Sequence, residues 1–163
     1  MAWAVRLLRP GDIENVLEIQ AASYTPQLLE DGDVFLAKIG DAPDYCIGAV
    51  GASGQLVAYV IAFPMTGTAS IGLHEQPSDL SDLSGPILYI HDMAVHPSVQ
   101  GRGIGRVLLG ELESVGRGNG QRVIELVAIE SAVEYWAAHG FEETDDAVYD
   151  GYGPGARKMR RGL

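Results

Sequence analysis

The 163-residue sequence predicts a mixed α/β fold, a single unit over residues 1–163 with about six or seven strands and about four helices around one core. Three observations carry this. Runs rich in β-branched and aromatic residues alternate with runs whose apolar residues return at helical spacing. The stretch 88–109, LYIHDMAVHPSVQGRGIGRVLL, is a strand that passes through a glycine-spaced turn straight into an amphipathic helix. A composition of 47% hydrophobic and 20% charged residues suits a substantial core.

Residues 4–9 read as a strand, and Pro10, Gly11 and Asp12 as a turn whose Asp12 caps a helix bearing Ile13, Val16, Leu17 and Ala21 on one face. Residues 24–30 read as a second short helix with Pro26 in its first turn. The runs 45–50 and 56–65 flank Gly51-Ala52-Ser53-Gly54 and form a hairpin. After the strand that begins at Leu88, the helix carries Ile104, Val107, Leu108, Leu112 and Val115 on its buried stripe and ends within 116–120. Residues 122–129 have the continuous apolar content of a strand covered on both faces. Ser131 and Glu134 have capping-box spacing for the next helix, which Gly140 terminates. Residues 147–149 and 156–160 are the strand cores of a closing hairpin, and Arg157, Lys158, Arg160 and Arg161 read as a solvated edge strand.

The glycine turn is an anion site in outline. Gly101, Gly103 and Gly105 leave backbone N–H groups unobstructed, the helix adds its N-terminal donors and macrodipole, and Arg102 and Arg106 add fixed charge. A tight turn with no ligand is the alternative. A Walker loop is ruled out by the lack of a terminal Gly-Lys-Ser/Thr, and the dinucleotide fingerprint by Arg106 at its sixth place.

Here the chain resembles the Gcn5-related N-acetyltransferase family, whose signature Gln/Arg-x-x-Gly-x-Gly/Ala is met by Gln100, Gly103 and Gly105. Gly140-Phe141 stands at the family's distance beyond it. The resemblance implies a mostly antiparallel mixed sheet in which the strand ending at Met93, Ala94 and Val95 splays from its parallel neighbour. The cosubstrate it implies is acetyl-CoA: Met93, Ala94 and Val95 for the pantetheine arm, and Gln100, Gly101, Arg102, Gly103, Ile104, Gly105 and Arg106 for the pyrophosphate. It also implies an acceptor site beside 24–30, with Tyr24 either a substrate contact or packing. Family members commonly dimerise, so a homodimer is among the states implied.

Acetyl transfer to an amine needs a base and an orienting site. His91 is the leading base, since imidazole changes charge near neutral pH; the bland reading is a hydrogen-bonded core histidine. Alternation puts Tyr89 on the same face, to assist His91 or shape the pocket, as arylalkylamine-type members imply. Asp92 faces the opposite side of a regular strand, and a bulge would redirect it to orient a side chain, bind the substrate ammonium or cap a loop. At the place of the family's proton-donating tyrosine stands Trp136, and Ile129 stands where an asparagine is often found. Tyr135, Tyr149 and Tyr152 are the remaining candidates for proton donation to the leaving thiolate. Trp136 and Ile129 favour a second reading, a non-catalytic acyl-CoA-binding or sensor domain. A nucleotide-phosphate hydrolase built on the same turn is a third.

The net charge of −11 and a sequence pI near 4.6 argue against a nucleic-acid partner and fit a cationic small-molecule acceptor. The residues 67–86 show little periodicity and are either a solvated loop or an overhang whose Glu75, Asp79 or Asp82 meets that cation. No apolar run reaches the length of a membrane span, and the start lacks a signal-peptide pattern, so a cytoplasmic location is expected. The lone Cys46 reads as a small buried hydrophobe, His96 as a turn residue, and no metal site is expected.

Overall fold

The computed structural model describes residues 3–67, 75 and 85–163. Among the described residues seven strands form one sheet, β1 (Ala4–Leu7), β2 (Cys46–Val50), β3 (Leu56–Met65), β4 (Ile87–Val95), β5 (Val123–Ala128), β6 (Glu142–Glu143) and β7 (Arg157–Gly162), in the order β1-β2-β3-β4-β5-β7-β6. All neighbours are antiparallel except β4 and β5. The α-helices among the described residues cover it: α1 (Ile13–Ser23), α2 (Gly32–Asp41), α3 (Ile104–Gly118) and α4 (Val133–Ala138).

The apolar residues segregate to the two faces of the sheet. Val16 and Ile19 of α1 and Phe35 and Ile39 of α2 pack with Tyr59 and Ile61. Ile104, Leu108, Leu109 and Leu112 of α3 pack with Ala58, Val60 and Ala62 on the other side, and Trp136 of α4 joins them. Each such aliphatic side chain, once fully buried, contributes about 1.5–3 kcal/mol. β3 is buried at nine of its ten positions because both faces are covered.

Several local expectations are corrected. Asp12 does not cap α1; its carboxylate accepts from the Arg9 N–H at 2.8 Å and binds Arg6 in a two-pronged pair. The buried stripe of α1 runs through Val16, Ile19 and Gln20, with Ala21 exposed, and that of α3 takes Leu109 while Val107 is exposed. Residues 24–30 hold only a 3-10 turn, Pro26–Leu28, because the second helix begins later, at Gly32. Ser131 lies inside a 3-10 turn, Glu130–Ala132, and caps nothing. The strand expected at 147–149 is absent; Glu142–Glu143 pairs with β7 instead. Thus β7 is not an edge. It is inserted between β5 and β6, and buried Lys158 meets Glu125 at 3.1 Å while Arg160 meets it at 3.5 Å.

Candidate active site

Two irregularities in β4 open the site. The parallel ladder with β5 runs from Ile87↔Val123 to Ile90↔Leu126 and stops, although both strands continue. Beyond that point Met93, Ala94 and Val95 are laddered to β3 alone, so their other edge faces a cavity. The cavity has a volume of about 710 Å³ and runs on past Gly101, Gly103 and Gly105 to Arg106.

The second irregularity is a β-bulge. Ile90 pairs with Ala62, but Asp92 pairs with Ile61, so β4 advances two residues while β3 advances one. A regular strand sends neighbouring side chains to opposite faces. The bulge cancels that alternation here, and both His91 and Asp92 meet the segment running from the end of α1 into α2.

His91 Nε2 lies 2.6 Å from Glu30 Oε1, with both side chains buried. The imidazole stacks near Phe63 at 6.4 Å between ring centroids. Its Nδ1 is buried and without a hydrogen-bond partner among the described residues. Glu30 is itself held in place: Gln20 of α1 donates to its carbonyl at 3.0 Å and accepts from its N–H at 2.7 Å. Lys38 of α2, fully buried, lies 4.0 Å from Glu30 Oε2 and donates to the Glu75 carbonyl. Burial holds the Lys38 ammonium below its usual range, against the pull of Glu30.

Asp92 is enclosed. Tyr59 Oη donates to its Oδ2 at 2.6 Å, and Tyr24 Oη lies 2.7 Å from Oδ1 and 2.8 Å from the Met93 carbonyl. Burial pushes the carboxyl up from its usual range, with the two tyrosine hydroxyls opposing. Both phenols are pushed well up by burial and by Asp92. Tyr152, buried at the same end, is raised by burial and feels Tyr89, Glu30 and Asp92.

At the other end, Gly101 and Gly103 adopt φ of +78° and +81°, and a Cβ on either would meet nothing within 4 Å. The backbone there is open to a ligand. Gln100 donates from its side chain to the Val95 carbonyl at 3.1 Å, fastening the turn to the end of β4. His96 accepts from the Ser98 N–H at 3.1 Å, as a turn residue does.

Of the residues anticipated, His91, Asp92, Met93, Ala94, Val95, Gln100, Gly101, Gly103, Ile104, Gly105, Arg106, Tyr24 and Tyr135 all line the cavity. Two do not. Arg102 is exposed outside it, and Tyr89 is a core residue at 1% exposure, packed on Phe63 across the strand pair. A Cβ on Gly105 would lie 2.6 Å from the Tyr135 hydroxyl and 3.5 Å from the Met93 side chain, so that hydroxyl overhangs the first turn of α3 beside Met93. Trp136 is buried against Phe141. Tyr149 is exposed, and Cys46 is fully buried with its thiol pushed up to about 12 by desolvation. Glu75 meets Lys38 through its backbone carbonyl; Asp79 and Asp82 lie outside the described residues. Among the described residues no cluster suits a metal ion, and no helix is long and apolar enough to cross a membrane.

Sequence reasoning missed Glu30, Gln20, Lys38 and Tyr59. Lys38 alone left a signal, a single cation between Phe35 and Ile39 on a helix face otherwise apolar.

Residues 13–141 match the model of the acetyltransferase (GNAT) family. The fold is similar to that of the loading GNATL domain of CurA from Lyngbya majuscula, with a TM-score of 0.81 at 13% identity over 98% of this chain and 96% of that one. It is also similar to the GphF GNAT-like decarboxylase in complex with isobutyryl-CoA, at 0.76 and 19% over 98% of each chain. The PaiA N-acetyltransferase from Thermoplasma acidophilum in complex with coenzyme A gives 0.73 and 16% over 100% of both.

Proposed function

The chain belongs to the acetyltransferase (GNAT) family, and on that premise we propose that it moves an acetyl group from acetyl-CoA to a primary amine of a small molecule or peptide by direct transfer in a ternary complex. The observation that carries this is the coincidence of the β4–β5 gap with the bulge. One opens backbone groups toward an extended ligand, and the other brings His91 and Asp92 together among the residues that line the same cavity. The open glycine turn fits the cosubstrate's phosphates: N–H groups of Gly101, Gly103 and Gly105 with Arg106 would hold them, and the free edge of Met93, Ala94 and Val95 would hold the pantetheine arm.

When bound, acetyl-CoA supplies an activated acyl carbon on a leaving thiolate. His91 takes the proton that the amine must lose as its nitrogen bonds to that carbon. The C–S bond breaks, the sulfur takes up a proton, and the products are one amide and one thiol. Tyr152 and Tyr135 both line the cavity and are the candidates to return that proton. Asp92 and Tyr24 shape the acceptor wall.

Release of free thiol from acetyl-CoA across a broad amine panel tests the reading. His91→Ala is expected to lower turnover at least a hundredfold at neutral pH and to leave coenzyme A affinity within twofold. Unchanged turnover with the preferred amine would remove His91 from the chemistry. Buried Trp136 at the usual tyrosine place favours one alternative, an acyl-CoA sensor, which predicts binding and no thiol release with any amine.

A further inference from the structure

We propose that Glu30 is a positioning residue that fixes the tautomer of His91, so that the basic atom presented to the acceptor is Nδ1. This rests on the assignment of His91 as base.

The argument begins with what each atom can do. An ionised carboxylate only accepts, so with Glu30 ionised the 2.6 Å contact between its Oε1 and His91 Nε2 puts the proton on Nε2. A neutral imidazole carries one ring proton, and with Nε2 protonated the lone pair sits on Nδ1. That nitrogen is buried and has no partner among the described residues, and His91 is one of the residues that line the cavity. A buried ring nitrogen without a partner costs free energy unless a ligand meets it.

Glu30 is built to hold this geometry. Gln20 grips both its N–H and its carbonyl, which fixes a loop residue as firmly as a helical one. The ammonium of Lys38, 4.0 Å from its second oxygen, favours the ionised carboxylate on which the tautomer depends. Phe63 lies roughly parallel to the imidazole, with 6.4 Å between ring centroids. Carboxylate, imidazole and reacting proton then stand in line, an arrangement that sets tautomer and orientation in nucleophilic and acid–base sites generally. During transfer the proton leaves the amine nitrogen for Nδ1, Nε2 keeps its own proton, and the imidazolium formed lies beside a carboxylate.

The test reads the ring directly. In the ligand-free protein, ¹⁵N chemical shifts of His91 at alkaline pH are expected to show a protonated Nε2 and a bare Nδ1. Glu30→Gln keeps the shape of the side chain but offers both a donor and an acceptor, so the shifts should move toward a mixture of tautomers. With it kcat should fall at least tenfold while KM for acetyl-CoA stays within twofold, and Glu30→Asp should recover part of the loss. His91→Ala combined with Glu30→Gln should be no slower than His91→Ala alone. A wild-type proton on Nδ1, or a Glu30→Gln protein with unchanged shifts and kcat, overturns the proposal. So does a double variant much slower than His91→Ala, which would make Glu30 a base in its own right. If His91→Ala is harmless while Glu30→Gln is not, the base assignment itself has failed; if the reverse holds, only the positioning role has. Should Glu30→Gln not fold, the wild-type tautomer decides alone.

Discussion

Asp92 shows how a single residue is set by enclosure. Tyr24 has one hydroxyl proton and two acceptors within 2.8 Å, Asp92 Oδ1 and the Met93 carbonyl, so an ionised Asp92 leaves the set one proton short. Burial raises the carboxyl by disfavouring the charge, against the two tyrosine hydroxyls that favour it. A carboxyl whose folded pKa lies above its unfolded value contributes stability that is complete at acid pH, below the ordinary carboxylate pKa, and is lost as pH rises through the raised value. Asp92→Asn removes that loss. Urea midpoints taken across a pH series should therefore show the wild type falling relative to Asp92→Asn as pH rises; a difference that does not vary with pH would refute the assignment. Nothing in the letters around Asp92 announces this, because Tyr59 and Tyr24 are brought to it from 33 and 68 residues away.

Among the elements, the glycine turn and α3 were the most legible. The spacing of Gly101, Gly103 and Gly105 and the stripe of Ile104, Leu108 and Leu112 are local patterns with local causes. Gly103 is the N-terminal cap of α3 at φ +81°, where an L side chain is strained although space is open. Gly103→Ala should cost about 1–2 kcal/mol in urea unfolding and weaken coenzyme A binding measured by calorimetry. Wild-type values of both would show that the left-handed turn is not required. The second helix was the least legible, because Gly32 and Gly40 dilute its signal and Lys38 interrupts its apolar stripe. That lysine is buried only because Glu30 and the Glu75 carbonyl receive it, a tertiary fact.

For the molecule as a whole, the insertion of β7 between β5 and β6 ties the C-terminal residues into the sheet that carries the site. Buried Glu125 sits between Lys158 and Arg160 on the adjacent strand. Lys158→Met leaves Glu125 buried beside a single, half-exposed arginine, and should cost about 3–5 kcal/mol in denaturant unfolding. Adding Glu125→Leu should restore most of it, whereas a double variant as unstable as the single would mean that packing, not charge, set the loss. The basic run at the C-terminus was legible as charge and misleading as location, since sheet order is a non-local property. By itself the sequence determined the α/β alternation, the parallel strand–turn–helix unit and the glycine cradle, because periodicity, left-handed glycines and helix starts act over a few residues. Only the tertiary structure decided which carboxylate serves His91, that His91 and Asp92 share a side, and that Tyr89 and Arg102 stand outside the cavity. Those outcomes depend on one extra residue in β4 and on contacts across tens of residues, which no local pattern encodes.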